Sequence, residues 1–536
     1  MMKTVTPVEL KEMLHDKEEL ALLDLREQGV FANEHQLFAC CIPLSHLELK
    51  IYDFVPRQNT RIVLVDQGPS DKLGLAEKGA ERLASLGYSN GAIMEGGIEG
   101  WRSAGFELFS GVNVLSKVFG EFVEVTYDTP RVTAEELKAK LDTDQQLVIL
   151  DARPQEEYHR MNIPGGIDSP GAELVFRVHD VAPDPETAVV VNCAGRTRSI
   201  IGAQSLINAG IPNPVAALKD GTMGWQLAGF ELEYGQERHA PAPSTAGIAK
   251  AQACAARVAR RFGVKKVNRD TLNAWAEEAD TRTLYVLDVR LPDEFEAGHL
   301  KGARNAPGGQ LVQATDEYVA VRKARLVLVD DNEVRATMTA SWLVQMGWTD
   351  VYVLAGGMGD GPLVQGSLRS KILGFETGDT LSPLDLKAML DSGEKLAVVD
   401  LGTSIEYKKR HIPGAWWGVR SRLDSDLAHI SAMDFFVLTS PDGLLAHLAV
   451  KEIEANRPDS TVRVLDGGTN AWIAAGLPIS EGMERAISEE DDVWYKPYEQ
   501  TDAPYEAMRD YLTWEVALLE KLERDGDAKF RTFTGP

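Results

Sequence analysis

Short apolar runs that end on an acid recur along the chain. Leu20–Asp24, Leu147–Asp151, Leu284–Asp288 and Leu396–Asp400 each place four non-charged positions before an aspartate. A second run with no internal polar position follows each of them: Ile62–Val65, Val189–Val191, Leu326–Val329 and Phe435–Leu438. Runs this short, unbroken by polar residues and separated by helical patterning, predict strands buried on both faces of a parallel sheet. A third strand then leads to a glycine turn before tryptophan, as Gly96-Gly97 to Trp101, Asp220-Gly221 to Trp225 and Gly467-Gly468 to Trp472. In the third copy Gly356–Gly359 runs into Asp360 where tryptophan would stand. The spacing predicts four copies of one α/β unit.

The expected units are residues 1–110, 128–235, 265–375 and 380–480, followed by a C-terminal tail at 481–536. His239–Thr245 is linker-like in composition and divides the units into two pairs, and Gly247–Arg261 reads as an alanine-rich helix. The tail carries Trp494, Tyr495, Tyr498, Tyr505, Tyr511 and Trp514, so it is expected to pack back on the domains. A length of 536 residues agrees with several domains rather than one core.

Charge removes some function classes. A formal net charge of −25 argues against nucleic acid or an anionic membrane as partner. Met1–Leu14 carries Lys3, Glu9, Lys11 and Glu12 without an apolar core, and no run is long enough to span a bilayer. Four cysteines (Cys40, Cys41, Cys193 and Cys254), without metal-ligand spacing, point to a reducing, cytoplasmic setting and no disulfide framework.

Cys193 is the candidate for chemistry. It opens the loop Cys193-Ala194-Gly195-Arg196-Thr197-Arg198-Ser199 between a buried strand and a helix of small and apolar residues. Loop N–H groups, the positive end of the helix dipole and two arginines would all favour thiolate, so a lowered Cys193 pKa is expected. Four residues separate Cys193 from Arg198, one fewer than a phosphate-sized cysteine loop needs. The smaller ring suits a persulfide sulfur.

On these residues the chain resembles the rhodanese family of sulfurtransferases, whose active loop is a short cradle beginning with cysteine. The resemblance implies four rhodanese-like domains, each a small parallel sheet with helices on both faces. It implies transfer of a sulfane sulfur from a small anionic donor such as thiosulfate, through a Cys193 persulfide, to cyanide or a thiol, with a protein sulfur acceptor as a further partner reading. Ala194, Gly195, Arg196, Thr197, Arg198 and Ser199 would bind substrate, with Arg196 and Arg198 on the donor's sulfonate. No metal or organic cofactor is implied. A sulfur-relay or binding scaffold, and a cysteine-based phosphatase or arsenate reductase, are the alternative readings.

The other three loops open without cysteine, at Asp66, Asp330 and Thr439, and are expected to be inactive. The repeated Asp–Arg pairs, such as Asp151 with Arg153, recur in units lacking cysteine and read as structural, as do His299 and His411. Cys40, Cys41 and Cys254 read as packing residues. With the loop cysteine in the second unit alone, Met1 to about Arg238 is expected to hold the catalytic apparatus.

Overall fold

The structure, a computed structural model, describes residues 3–143, 145–359, 361–368, 370–499 and 503–533, so Asp360 lies outside the described residues. It contains the four expected sheets, each of five parallel strands in the same order. In the second unit that order is Arg131–Val132, Val215–Leu218, Ala188–Asn192, Leu147–Asp151 and Ile167–Asp168. The central strands are buried because their side chains meet helices on both sheet faces.

Register aligns the four units. Asp24 pairs with Val65, Asp151 with Asn192, Asp288 with Val329 and Asp400 with Thr439. The residues that leave the sheet next are therefore Asp66, Cys193, Asp330 and Ser440. Thr439, expected to open the fourth loop, is instead the last rung of its strand, a position that suits a β-branched side chain.

At three strand ends the aspartate holds the arginine two residues on, at 2.6 Å for Asp24–Arg26, 2.8 Å for Asp151–Arg153 and 2.6 Å for Asp288–Arg290. Each guanidinium also donates to a backbone carbonyl eight residues on, at 2.7 Å. In the fourth unit Asp400 takes the backbone N–H of Gly402 at 2.8 Å instead. The tryptophans after the glycine turns are buried, and each indole N–H caps a carbonyl, as Trp225 does with Glu231 at 2.8 Å.

The units are not beads on a string. Val321–Arg322 of the third unit adds an antiparallel strand to the first unit's sheet, pairing Val321 with Ala21 and Arg322 with Leu20. Four helices then bind the assembly: α1 (Val114–Tyr127), α2 (Thr197–Ala209), α3 (Thr245–Phe262) and α4 (Pro504–Asp525). The buried residues Val118, Phe119 and Val123 of α1 join hydrophobic cores of the first unit, and Phe119 shares its core with Trp342 of the third. The expected alanine-rich helix is α3, capped by Ser244 accepting from the Gly247 N–H at 3.0 Å. It packs Cys254, Ala255 and Val258 against the second unit and Val334 and Met338 of the third, so the segment between the two pairs of units also joins them.

The tail folds back, as its aromatics suggest. Helix α4 lies along α1, Trp514 caps Ser110 at 3.1 Å, and Phe530 stacks edge-on to Phe119 with centroids 5.0 Å apart. Tyr505 is the exception, 48% exposed. Leu518 of α4 is 1% exposed in the first unit's core. Leu518→Ala should therefore destabilise the protein by about 2–5 kcal/mol, the usual cost of a buried Leu→Ala cavity. Urea denaturation checks this, and a shift near zero would mean that the tail merely rests on the surface.

Candidate active site

The loop at the head of α2 is built from its backing outward. Asn192 Nδ2 donates to Asp151 Oδ2 at 2.8 Å and to Thr222 Oγ1 at 3.0 Å, so the strand-end acid fixes the base of the loop. Cys193 O accepts from the Thr222 N–H at 2.8 Å, and Ala194 O from the Met223 N–H at 3.0 Å. Gly221 makes that backing possible. Its φ is +56°, and a Cβ there would stand 2.4 Å from Cys193 O and 2.6 Å from Gly195 O. On the loop itself, Ser199 Oγ donates to Arg196 O at 2.8 Å.

Cys193 is 2% exposed. Burial pushes its thiol up, against the downward pull of Arg198 and of the Ser199 hydroxyl and N–H. The expected lowered pKa is thus corrected: the helix-head groups act in the anticipated direction, but desolvation of the buried thiol outweighs them.

Arg196 is also placed differently from expectation. It is 5% exposed, with its guanidinium on Glu121 at 2.7 Å, Glu124 at 2.6 Å and Asp220 at 3.1 Å. Three carboxylates take up its charge, so it locks the loop to α1 rather than presenting a free cation to a donor. Arg198 faces the cavity. It pairs with Glu157 at 2.9 Å and reaches Gln310 of the third unit at 3.4 Å. Against the burial that would raise it, Arg198 and Lys496 hold Glu157 down to about 2.

A cavity of about 240 Å³ opens over the loop. Cys193 through Arg198 form its floor, and its walls come from elsewhere: Lys117 of α1, Gln310 and Gln313 of the third unit, and Tyr498, Tyr511 and Glu515 of the tail. Met1–Arg238, expected to hold the whole catalytic apparatus, does not by itself enclose the cavity over Cys193. The charge-bearing walls had no motif to mark them. Gly120 lets α1 come this close, since a Cβ there would stand 2.9 Å from Thr197 Cγ2. Lys117 is buried under Trp494, Tyr511 and Trp514, with Nζ 5.1, 5.4 and 5.1 Å from the ring centroids, and burial draws its pKa down to about 8. His159 is exposed on the second unit's surface, and Cys40 and Cys254 are buried apart from the cavity.

The cysteine-free loops show what such a cradle holds. In the third unit Asp330 occupies the Cys193 position and takes the backbone N–H groups of Glu333, Arg335 and Ala336 at 2.6, 2.9 and 3.3 Å. These correspond to Arg196, Arg198 and Ser199. Asp66 likewise accepts from the Gly68 and Ala76 N–H groups at 3.0 and 3.1 Å, and Ser440 Oγ from the Ala446 N–H at 3.3 Å. Arg335 also matches Arg198, and pairs with Glu294 at 2.6 Å as Arg198 does with Glu157.

Comparison with known proteins agrees with the repeat. The model of the rhodanese-like domain matches residues 6–104, 133–228, 268–360 and 382–475. The crystal structure of a thiosulfate sulfurtransferase from Pseudomonas aeruginosa is 50% identical, covers 99% of this chain and 100% of its own, and superposes with a TM-score of 0.94. YqhL, an uncharacterized protein of Bacillus subtilis (strain 168), is 41% identical over 87 residues, 16% of this chain and 68% of its own length. Among the described residues no helix is long and apolar enough to cross a membrane.

Arg196→Ala would strand Glu121 as an uncompensated buried charge, while Glu124 would keep Arg131 at 3.2 Å. It should cost about 3–5 kcal/mol of folding stability, read by denaturant unfolding, whatever it does to turnover. A loss under about 1 kcal/mol would return Arg196 to the list of free substrate cations.

Proposed function

The chain belongs to the rhodanese family, four domains in tandem, and from that premise we propose that it is a thiosulfate sulfurtransferase whose single working loop is the one at Cys193. The Cys193 thiolate attacks the outer sulfur of thiosulfate. An S–S bond forms to the enzyme while the bond to sulfite breaks, with its electron pair leaving on sulfite. An acceptor thiolate, or cyanide, then attacks the enzyme-bound sulfur and returns Cys193 as thiolate. The likeness to the Pseudomonas aeruginosa enzyme along nearly the whole chain supports the donor.

One observation carries the persulfide assignment. The chain itself places an anion, the Asp330 carboxylate, in the third unit's copy of the cradle, on three backbone N–H groups. The matching N–H groups of Arg196, Arg198 and Ser199 are positioned to receive the terminal sulfur of a Cys193 persulfide. Arg198 faces that anion as Arg335 faces Asp330, and so serves both the persulfide and the incoming donor. Ala194, Gly195 and Thr197 shape the floor. The other three loops already hold their own side chains in the cradle and carry no sulfur.

The acceptor is a thiol larger than cyanide, a reading supported by the cavity of about 240 Å³ and its aromatic wall at Tyr498 and Tyr511. Four unpaired cysteines support a reducing cytoplasm as its place of work.

Incubation with thiosulfate should add one sulfur atom to Cys193, seen by intact-mass and peptide mass spectrometry. Cys193→Ser should lose both the added sulfur and all thiosulfate:cyanide turnover, while Cys254→Ser keeps them. Added sulfur on Cys40 or Cys41 instead would refute the site. Arg198→Ala removes a charge-assisted contact worth roughly 1.5–3 kcal/mol, so kcat/KM for thiosulfate should fall about 10–100-fold. An unchanged kcat/KM would move donor recognition elsewhere in the cavity.

A further inference from the structure

Helix α4 carries one acid into the active cavity. Glu515 is 1% exposed, and its Oε1 accepts from Thr197 Oγ1 at 3.0 Å and from the Tyr511 hydroxyl at 3.3 Å. Its Oε2 is buried and has no hydrogen-bond partner among the described residues. That oxygen faces the loop: a Cβ on Gly195 would stand 3.3 Å from it. A buried carboxylate oxygen without a partner is costly, so its retention at the cradle calls for a use. The cavity also holds a buried thiol that must lose a proton before it can react.

Building on the assignment of Cys193 as the sulfur carrier, we infer that Glu515 Oε2 is the proton acceptor and donor of the Cys193 site. In the first half-reaction the Cys193 proton passes to Oε2. The thiolate forms its bond to the outer sulfur of thiosulfate as sulfite departs, and the proton leaves with it as hydrogensulfite. In the second half-reaction Oε2 takes the proton of the acceptor thiol. The resulting thiolate bonds to the terminal sulfur, the Cys193–sulfur bond breaks with its pair on Cys193, and Glu515 returns the proton there.

The charges around Glu515 suit a group that changes state near neutrality. Lys117 and Glu121 face it from α1, Arg196, Thr197 and Cys193 from the loop and α2, and Tyr511 from its own helix. Burial lifts Glu515 to about 7, with Lys117 pulling the other way. Its acceptor form therefore exists above about pH 7 and is lost below it.

Single-turnover persulfide formation, followed by quenched-flow mass spectrometry from pH 5.5 to 9.5, tests this on the full chain. The unaltered enzyme should lose rate below about pH 7 and level off above it. Glu515→Gln keeps the side chain's size and its bond to Thr197. It should be slower by 100-fold or more near pH 7.5, with a rate still climbing at high pH as Cys193 ionises alone. Glu515→Asp, which restores a carboxylate, should recover part of the rate and the levelling. Near-UV circular dichroism establishes that each variant is folded. A persulfidated Glu515→Gln with wild-type rate and profile overturns the role of Glu515 and leaves Cys193 standing. A profile in the unaltered enzyme that climbs without levelling overturns it with no variant needed. Absence of added sulfur in the unaltered enzyme brings down both readings.

Discussion

A ring of backbone N–H groups at the head of a helix, boxed in by a sheet, cannot be left empty. Each N–H has lost water, and the helix dipole adds positive potential to the same point. All four units fill the ring with the side chain that follows the second central strand. In three it is an oxygen-bearing side chain: Asp66, Asp330 or Ser440. An aspartate there is a permanent plug, with burial lifting Asp330 to about 6 while Arg335 and the N–H groups oppose it. Cysteine is the one occupant that satisfies the ring only part of the time. Its neutral thiol leaves the donors wanting, and a persulfide sulfur fits them. On the proposed function, the preference of the ring for an anion becomes a driving force for persulfide formation.

That constraint accounts for the placement of the surrounding charges. A net charge of −25 opposes dianionic donors at long range, so attraction must come from within the cavity. Arg196, the cation closest in sequence to Cys193, is neutralised by Glu121, Glu124 and Asp220. Its pairing anchors α1 on the loop, which brings Lys117 to the cavity wall. Arg198 keeps a single acid partner, Glu157, itself shared with Lys496. The cavity therefore obtains its usable positive charge from three separate segments, and none of the four domains contains the site alone.

Much of the architecture was legible from residues that serve their own unit. Strands without polar positions, strand-end Asp–Arg pairs and glycine turns before tryptophan are local or short-range devices, and they reported the four sheets and the strand-to-helix loop that Cys193 opens. What the sequence did not disclose depends on contacts between units. Asp151 and Asn192 are neighbours across two strands of one sheet, whereas Thr197 and Glu515 meet only because the tail crosses back. Helix α1 did leave a trace, since Val114, Leu115, Val118, Phe119, Phe122 and Val123 repeat at helical spacing, but nothing in that pattern says which core receives them. The Cys193 pKa was misjudged for a related reason. The charges that lower it are written beside it, while the walls that bury it come from far along the chain.

Burial of the nucleophile and the reach of the tail are two sides of one arrangement. Without the walls that Lys117, Gln310, Tyr498, Tyr511 and Glu515 supply, Cys193 would be more open to water and its thiol less desolvated. Its persulfide, equally exposed, would be open to any passing thiol. On the proposed function, covering the loop with Tyr511 and Glu515 protects the persulfide but raises the thiol, so the cover has to bring a proton acceptor with it. The same helix supplies both: Tyr511 and Glu515 lie one turn apart on α4, on the face that meets the loop. A tail that only shielded the site would slow the first half-reaction, and a tail that only accepted protons would leave the intermediate exposed. On the proposed function, four tandem units with one loop cysteine have a physical rationale, in which the first and third units hold α1 and α4 against the cysteine of the second.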